Sequence, residues 1–333
     1  MSFNNIKGQR EVITSLENSI RSNKVGHGYI FSGPRGIGKR TVAKVFASLL
    51  LCQELSKNGH ELSPCGSCLC CQLVQNGTNP DLHIVETDEN SISVEEIRKL
   101  QSDINIRPMY SKRKVYLIFD CDKMTVQAQN CLLKTLEEPP GYGVIILTSS
   151  NYDALLETIR SRSLRYNFRK NTSQEIREIL EDRCVDSIKE KDFIISYSDG
   201  IIGTALELAQ SGEFAQIREQ TLEIVQKLVK ARLLDVFEVY DFFEDNKANI
   251  DTILDIMTLY YRDLLVALNS WKENILINSD KKDIILDNVS KYTINKLVRN
   301  VEIIENTRRS LKYNANYQLA VETMLMKLQE DCI

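Results

Sequence analysis

One stretch decides the fold of this chain: Tyr29-Ile-Phe-Ser-Gly-Pro-Arg-Gly-Ile-Gly-Lys-Arg-Thr41. A short apolar run leads into a glycine-rich loop, and a lysine follows the loop. Apolar residues then recur at helical spacing, at Val42, Ala43, Phe46, Ala47 and Leu50. The pattern predicts a strand, a loop and a helix in succession, which is the setting of a phosphate-binding loop.

The glycines and the lysine of this stretch predict contacts to the phosphates of a nucleotide. Loop amides can point at phosphate oxygens, the lysine can reach the outer phosphates, and the helix N-terminus adds its dipole. Arg40 departs from the pattern G-x-x-x-x-G-K-[ST], because a hydroxyl normally holds Mg²⁺ there, and Thr41 comes one residue late. The predicted nucleotide ligands in the loop are Gly33, Gly36, Gly38, Lys39, Arg40 and Thr41.

Up to residue 168 the chain alternates predicted strands and helices. Val115 to Asp120 and Val144 to Leu147 are runs typical of strands buried on both faces of a parallel sheet. Ser93-Val-Glu-Glu96 has the form of a capping box and predicts a helix start between two strands. We therefore predict an α/β domain over residues 1–168, with helices on both sides of a mostly parallel sheet.

The residues after the strand at Val115 decide whether the site can hydrolyse a nucleotide. Asp120 stands where an acid holds Mg²⁺ through water, so we count it among the nucleotide-site residues. A hydrolysing site also needs a carboxylate just beyond, to orient the attacking water, and Cys121 stands there. Strand alternation would point Asp122 the other way, so we do not count it as a substitute. The sequence thus predicts a phosphate-binding loop beside an incomplete catalytic site.

Cysteines cluster after the helix of the loop. Four of the nine lie in Cys65-Gly-Ser-Cys-Leu-Cys-Cys71, which contains the spacing C-x2-C-x2-C. With a fourth thiolate from the preceding helix end, they would form a closed tetrahedral Zn²⁺ site that holds a loop in place, a knuckle over residues 52–71. Cys70 is then surplus, and the alternatives are cysteines without metal or ligation by His60 or His83. The predicted zinc ligands are Cys52, Cys65, Cys68 and Cys71.

Composition limits what the chain can do alone. Its 333 residues, 43% of them hydrophobic, predict two or three domains. A net charge of -4 argues against strong binding of nucleic acid outside a complex, so a free-standing zinc and nucleic-acid-binding module fits the cysteines but not the charge. We find neither a signal region at the N-terminus nor an apolar run of roughly 18 to 20 residues, and expect a cytoplasmic protein.

Beyond Phe168 the pattern changes to helices alone. Short helices predicted from Ser173, Lys189 and Gly203 indicate a small helical unit over residues 169–211. Wide apolar stripes then suit a helical bundle over residues 212–333 that also packs against something else. The long amphipathic segments run over residues 214–229, 233–243, 250–276, 294–311 and 317–329.

Leu132-Leu-Lys-Thr-Leu-Glu-Glu-Pro-Pro140, which follows the Walker B-like strand at Val115 to Asp120, resembles the bacterial DNA polymerase III clamp loader, an AAA+ assembly. Gly8-Gln9, the phosphate-binding loop, the cysteine knuckle and Ser161-Arg-Ser163, where the family has Ser-Arg-Cys, follow in the family's order. The resemblance implies an AAA+ core, a helical lid over residues 169–211 and a helical collar over residues 212–333 through which subunits form an open ring.

The family has ATPase subunits, gamma and tau, and a non-hydrolysing partner. This sequence departs from the ATPase pattern at Arg40, at Cys121 and at Gly203, where the lid's sensor arginine would stand. The resemblance therefore implies a subunit that binds ATP or ADP, if either, without hydrolysis. The alternative is a gamma/tau-type ATPase that uses Thr41. Further segments that look like the non-hydrolysing member are Phe119–Met124, Tyr261–Leu265 and Asn314–Leu319.

The arginine of the family's Ser-Arg-Cys triplet reaches across a subunit interface to the neighbour's ATP. By that resemblance Arg162 is a catalytic arginine finger acting in trans. The implied partners are the gamma/tau ATPase subunits and the delta subunit and, through the complex, the sliding clamp and primer-template DNA. No contact with a membrane is implied.

Overall fold

The computed structural model describes residues 2–58, 61–87, 91–183, 191–228, 235–269 and 276–330. The chain divides into two compact units. The first comprises Met1–Arg183 and Asp199–Thr204, and the second comprises Cys184–Ser198 and Ala205–Ile333. No helix within the described ranges combines the length and the apolar character that crossing a bilayer requires.

A parallel sheet forms the centre of the first unit. The described strands are Gly28–Ser32 (β1), Ser56–Asn58 (β2), Glu61–Ser63 (β3), Leu82–Val85 (β4), Lys114–Ile118 (β5), Gly143–Ser149 (β6) and Leu164–Asn167 (β7). Five of them lie in the order β4-β5-β6-β1-β7, every neighbouring pair parallel, and β2 pairs with β3 as a short antiparallel hairpin. β5 and β6 are buried at every position, which confirms the two predicted buried strands, and β1 between β6 and β7 is buried throughout as well.

Helices cover both faces of this sheet, as predicted. Phe31 of β1 packs in one apolar cluster with Phe46, whereas the adjacent Ile30 packs in a second cluster with Leu100 and Leu132. Successive strand residues point to opposite faces, so the two clusters are the cores above and below the sheet. The helices of this part of the chain are Arg10–Arg21 (α1), Lys39–Leu51 (α2), Leu69–Gln75 (α3), Val94–Ile104 (α4), Val126–Glu137 (α5), Glu157–Arg160 (α6) and Ser173–Arg183 (α7).

Local patterns placed some boundaries correctly and missed others. The predicted capping box starts α4, since the Ser93 backbone N–H donates to Glu96 at 2.7 Å and the Glu96 backbone N–H donates to the Ser93 hydroxyl at 3.4 Å. The hairpin β2–β3 and the edge strand β7 were not predicted. β7 has no continuous apolar run, because its positions are mostly exposed.

After β7, the regular secondary structure of the described ranges consists of helices without any strand, as predicted. The helix predicted over residues 250–276 is described only as far as Asn269, residues 270–275 lie outside the described ranges, and Leu276 is not helical. The sequence reading also missed the helix that follows. The helices are Lys191–Tyr197 (α8), Ile202–Gln210 (α9), Gly212–Leu228 (α10), Asp235–Asp245 (α11), Ile250–Asn269 (α12), Lys282–Val289 (α13), Ile294–Lys312 (α14) and Tyr317–Glu330 (α15).

A buried polar network fixes the segment that leads into α13. The Asp263 carboxylate accepts hydrogen bonds from the backbone N–H groups of Ile277 (3.1 Å) and Asn278 (2.7 Å). Arg218, which is fully buried, donates to Asp280 at 2.9 and 2.8 Å. These contacts join residues far apart in sequence, so helical periodicity could not reveal where the chain turns.

Candidate nucleotide and metal sites

The predicted phosphate-binding loop joins β1 to α2, which confirms the strand, loop and helix. Gly36 and Gly38 have φ angles of 78° and 100°, in the left-handed region that favours glycine. Lys39 is only 5% exposed, and its ammonium donates to the carbonyl oxygens of Gly33 (2.6 Å) and Pro34 (2.7 Å). Burial lowers the pKa of Lys39. The loop therefore wraps around its own lysine.

The start of α9 packs against this loop. The Gly203 backbone N–H donates to the Gly36 carbonyl at 2.8 Å. A Cβ on Gly203 would lie 2.9 Å from the Gly36 Cα, a distance that real Cβ atoms essentially never show, and 3.0 Å from the Gly36 oxygen. The two backbones thus leave no room for a sensor arginine at residue 203.

The Arg40 guanidinium lies against two carboxylates that follow neighbouring strands. It is 2.8 Å from Asp120 and 3.4 Å from Glu86, and its Cζ lies 4.9 Å from the centre of the Phe119 ring. Thr41 is exposed and lies about 100° around the helix from Arg40, since a turn takes 3.6 residues. These residues do not fit the Mg²⁺ position of a phosphate-binding loop, because the hydroxyl is absent and the acid is paired with arginine.

The chain turns sharply after β5, which corrects the predicted strand up to Asp120. β5 ends at Ile118, and Asp120 has a φ of 49° in the left-handed region. Cys121 begins a 3-10 turn, and complete burial raises the pKa of its thiol well above the usual value. Asp122 accepts hydrogen bonds from the backbone N–H and the hydroxyl of Ser150, both at 3.0 Å. Both oxygens of Asp122 therefore accept from Ser150. Strand alternation, the reason given for setting Asp122 aside, does not apply, because Asp122 lies in the turn and not in the strand.

The four predicted zinc ligands converge. The sulfur atoms of Cys52, Cys65, Cys68 and Cys71 all lie within 4.8 Å of one another, with Cys65 3.9 Å and Cys52 3.6 Å from Cys71. Four sulfurs at about 2.3 Å from one tetrahedral Zn²⁺ would lie about 3.8 Å apart. The cysteines are free, since a disulfide would bring two sulfurs to about 2.05 Å. Their spacing thus fits one tetrahedral metal ion.

Hydrogen bonds and burial give these thiols unequal acidities. The Cys68 backbone N–H donates to the Cys65 sulfur at 3.3 Å, and such bonds lower the pKa of Cys65 to about 6. Burial raises the pKa of Cys52 and of Cys71. A metal binds thiolates, so its uptake would release protons from Cys52 and Cys71.

The alternative ligands lie elsewhere or cannot be placed. The Cys70 sulfur lies 3.2 Å from the Ser111 hydroxyl, outside the set of four, as expected for a surplus cysteine. His83 lies 2.8 Å from the Asp103 carboxylate. His60 is outside the described residues.

Arg162 lies in the turn between α6 and β7. Its guanidinium is 2.9 Å from the Glu137 carboxylate and donates to the Thr158 carbonyl at 3.1 Å, and its side chain is 37% exposed. The nearby Arg160 pairs instead with Asp153 at 3.1 Å. Arg162 is therefore a partly exposed cation positioned by a carboxylate at the end of α5.

Arg162 and the phosphate-binding loop lie at opposite ends of the neighbouring strands β1 and β7. β7 pairs in parallel with β1, with Leu164 opposite Tyr29, so Arg162 precedes the paired residues and the loop follows them. A Cβ on Gly28, the first residue of β1, would lie 3.3 Å from the Arg162 carbonyl oxygen. The strand between them spans about 16 Å at about 3.3 Å per residue. Arg162 is therefore a strand's length from the loop of its own chain.

The sequence reading missed two carboxylates at these sites. Glu86 follows β4 as Asp120 follows β5, and the carboxyl ends of parallel strands meet at one edge, so the strand pattern held a signal for Glu86. Glu137 ends α5 and contacts Arg162 from a distant part of the sequence. No local pattern indicates that contact.

Two family models match the chain. One, described as DNA polymerase III, delta subunit, matches residues 8–172. The other, described as DNA polymerase III, delta subunit, C terminal, matches residues 212–330.

Individual proteins are similar along nearly the whole chain. DNA polymerase III subunit delta' of Bacillus subtilis is 30% identical over 97% of this chain and 96% of its own length. Subunit tau of Bacillus subtilis is 26% identical over 98% of this chain, which spans 61% of tau. A solved structure, a DNA polymerase III gamma subunit-related protein from Thermotoga maritima, is 20% identical, covers 96% of this chain and 99% of its own, and gives a TM-score of 0.46.

Proposed function

This chain belongs to the DNA polymerase III clamp-loader family, among its delta and delta' subunits, and we propose that it acts there as a non-hydrolysing subunit of the delta' type. In this role it pairs with an ATPase subunit of the gamma or tau type, assembles with a delta subunit, and helps to load the sliding clamp onto primer-template DNA in the cytoplasm. Its contribution to catalysis is Arg162, which acts on the ATP of the neighbouring subunit.

Three features of the loop's surroundings argue against hydrolysis by this chain itself. Arg40 pairs with Asp120, the acid that would serve Mg²⁺. The buried thiol of Cys121 cannot orient water as a carboxylate does. Gly203 has no room for a side chain that would sense the outer phosphate. Any ATP or ADP that the loop binds therefore stays unhydrolysed.

The proposal rests above all on the position of Arg162. Its side chain is 37% exposed and lies at the end of β1 and β7 opposite to the phosphate-binding loop, about 16 Å away along β1. An arginine side chain does not bridge that distance, so Arg162 has no role at the nucleotide of its own chain. It can reach a nucleotide that another subunit presents to this end of the strands. Arginine fingers in other nucleotide hydrolases accelerate turnover by about 10³ to 10⁵.

We further propose that Cys52, Cys65, Cys68 and Cys71 hold one Zn²⁺. Four protein thiolates would close the coordination shell, which leaves no open position for catalysis and makes the ion structural. Such an ion would join the end of α2 to the start of α3.

The arginine finger is tested by Arg162→Ala in a reconstituted clamp loader. Hydrolysis at the neighbouring site should fall about 10³-fold or more, so DNA-stimulated turnover loses at least that site's share. The matched control is Arg160→Ala, which removes a nearby arginine at the end of α6. That arginine pairs with Asp153, so turnover should stay intact. Unchanged turnover in an assembled Arg162→Ala ring would refute the finger.

The alternative, a gamma/tau-type ATPase, predicts a different result for the isolated chain. We expect no Mg²⁺-dependent ATP turnover by the purified protein. Turnover at the rate of an ordinary AAA+ subunit would favour the alternative and contradict the proposed role.

A further inference from the structure

Asp120, the carboxylate that this site would offer to a divalent cation, is already paired with a cation of the chain itself. Arg40 lies 2.8 Å from Asp120 and 3.4 Å from Glu86, over the face of the Phe119 ring. Lys44, one turn further along α2, has its ammonium 5.6 Å from the centre of the same ring. Two acids and one aromatic face thus surround a cation that the chain itself supplies.

The chemistry of arginine keeps this cation charged. A guanidinium stays charged at every pH at which the protein is folded, and its planar fork pairs well with carboxylates. Mg²⁺ needs a near-octahedral set of oxygen ligands at about 2.0 to 2.1 Å. A divalent ion at Asp120 would have to displace Arg40 from the carboxylate or approach it against like charge.

The sequence also lacks the second protein ligand of such an ion. In a phosphate-binding loop the hydroxyl directly after the lysine reaches Mg²⁺. Here that position is Arg40 itself, and Thr41 faces about 100° away around the helix. One residue therefore removes a ligand and occupies the remaining acid.

We propose that the Arg40 guanidinium takes the place of the divalent cation, so that Mg²⁺ is excluded from Asp120 whether or not a nucleotide is bound. This exclusion rests on the proposed function and gives a physical reason for it. The missing carboxylate at Cys121 affects the orientation of the attacking water. Exclusion of the cation by Arg40 is a separate effect.

The test is ADP binding by the full-length, zinc-loaded chain, measured by calorimetry with added Mn²⁺ or in buffer passed over a chelating resin, without free chelator. In the wild type, ADP affinity should differ by less than about twofold between the two conditions, or ADP binding should be absent from both. Arg40→Thr returns the hydroxyl and frees Asp120, so ADP should bind about tenfold or more tightly with Mn²⁺ than without it. Adding Asp120→Asn should abolish that gain. Lys44→Thr, which removes one charge from the same helix, should behave like the wild type.

Each other outcome overturns the exclusion. A wild-type chain whose ADP affinity rises with Mn²⁺ and loses that rise in Asp120→Asn has a cation at Asp120. A folded Arg40→Thr chain without any Mn²⁺ dependence shows that Arg40 was not what excluded the ion. The two proposals also fail separately. If Mn²⁺ binds at Asp120 and the chain still shows no ATP turnover, only the exclusion is overturned. If Arg162→Ala leaves the ATP turnover of the assembled ring unchanged, only the arginine finger is overturned.

Discussion

Gly203 is packed tightly against Gly36, and it stands where the ATPase pattern has a sensor arginine. Its amide bonds to Gly36, and the approach of the two backbones explains why a residue with a long side chain is not found there. The sequence identified Gly203 as a departure from the ATPase pattern. It did not show that the space had been closed as well.

Gly203→Ala should therefore destabilise the first unit. Its Cβ would lie 2.9 Å from the Gly36 Cα, and an overpacked contact of this kind costs about 1 to 3 kcal/mol. Urea unfolding measures the change in the free energy of unfolding. Gly141→Ala is the matched control, because a Cβ there would meet no atom within 4 Å. Equal stability of the two variants would contradict the close approach.

At the scale of elements, the cysteine knuckle predicts a metal-dependent segment. Cys71→Ser removes one of the four converging sulfurs, so the purified protein should lose its zinc and melt at a lower temperature. The neighbouring Cys70→Ser should keep the zinc, because Cys70 lies outside the set. Atomic absorption in reducing buffer gives the zinc content. Well under one equivalent in the wild type would refute the site.

Asp103 connects α4 to β5 and should make the first unit sensitive to acid. Burial alone would raise the pKa of Asp103, but hydrogen bonds from Tyr116 (2.6 Å) and Lys114 (2.9 Å) hold it below the usual value. A carboxylate with a lowered pKa in the folded state stabilises the fold above its unfolded pKa of about 3.9. That contribution is lost as the pH falls through the folded pKa.

Asp103→Asn should thus be less stable than the wild type at neutral pH, and the difference should shrink below about pH 4. Urea unfolding at a series of pH values follows this difference. Asp182→Asn is the control, because its pair with Lys7 is longer, at 3.6 Å, and lies at the surface. A difference for Asp103→Asn that stays constant with pH would contradict the assignment.

The elements that were predictable are those whose cause is local. The buried strands β5 and β6 and the capping box at Ser93 follow from runs of neighbouring residues. The turn at Asp120 and the short edge strand β7 do not, because the turn depends on a positive φ and β7 on pairing with β1. The same division holds for the sites. Spacing indicated the four cysteines that converge and the unusual position of Arg40, whereas the partners of Arg40 and Arg162 depend on how distant segments meet.

At the scale of the whole molecule, the loop predicted to bind phosphate follows β1, and the exposed Arg162 lies at the opposite end of β1 and β7. Residues in and around the loop contact other groups of the same chain: Lys39 donates to Gly33, Arg40 pairs with Asp120, and Gly203 donates to Gly36. Arg162 has a single carboxylate partner, Glu137, among the described residues. We therefore expect the chain's effect on ATP hydrolysis to depend on Arg162 and not on its own loop.

ATP hydrolysis by two reconstituted clamp loaders tests this most directly. One carries Lys39→Met in this subunit, which disables its loop, and the other carries Arg162→Ala. With assembly of both rings verified, the Lys39→Met complex should hydrolyse ATP at the wild-type rate, and the Arg162→Ala complex should lose the turnover of the neighbouring site. Loss of turnover with Lys39→Met, together with wild-type turnover for Arg162→Ala, would show that this chain is itself an ATPase and would contradict the account.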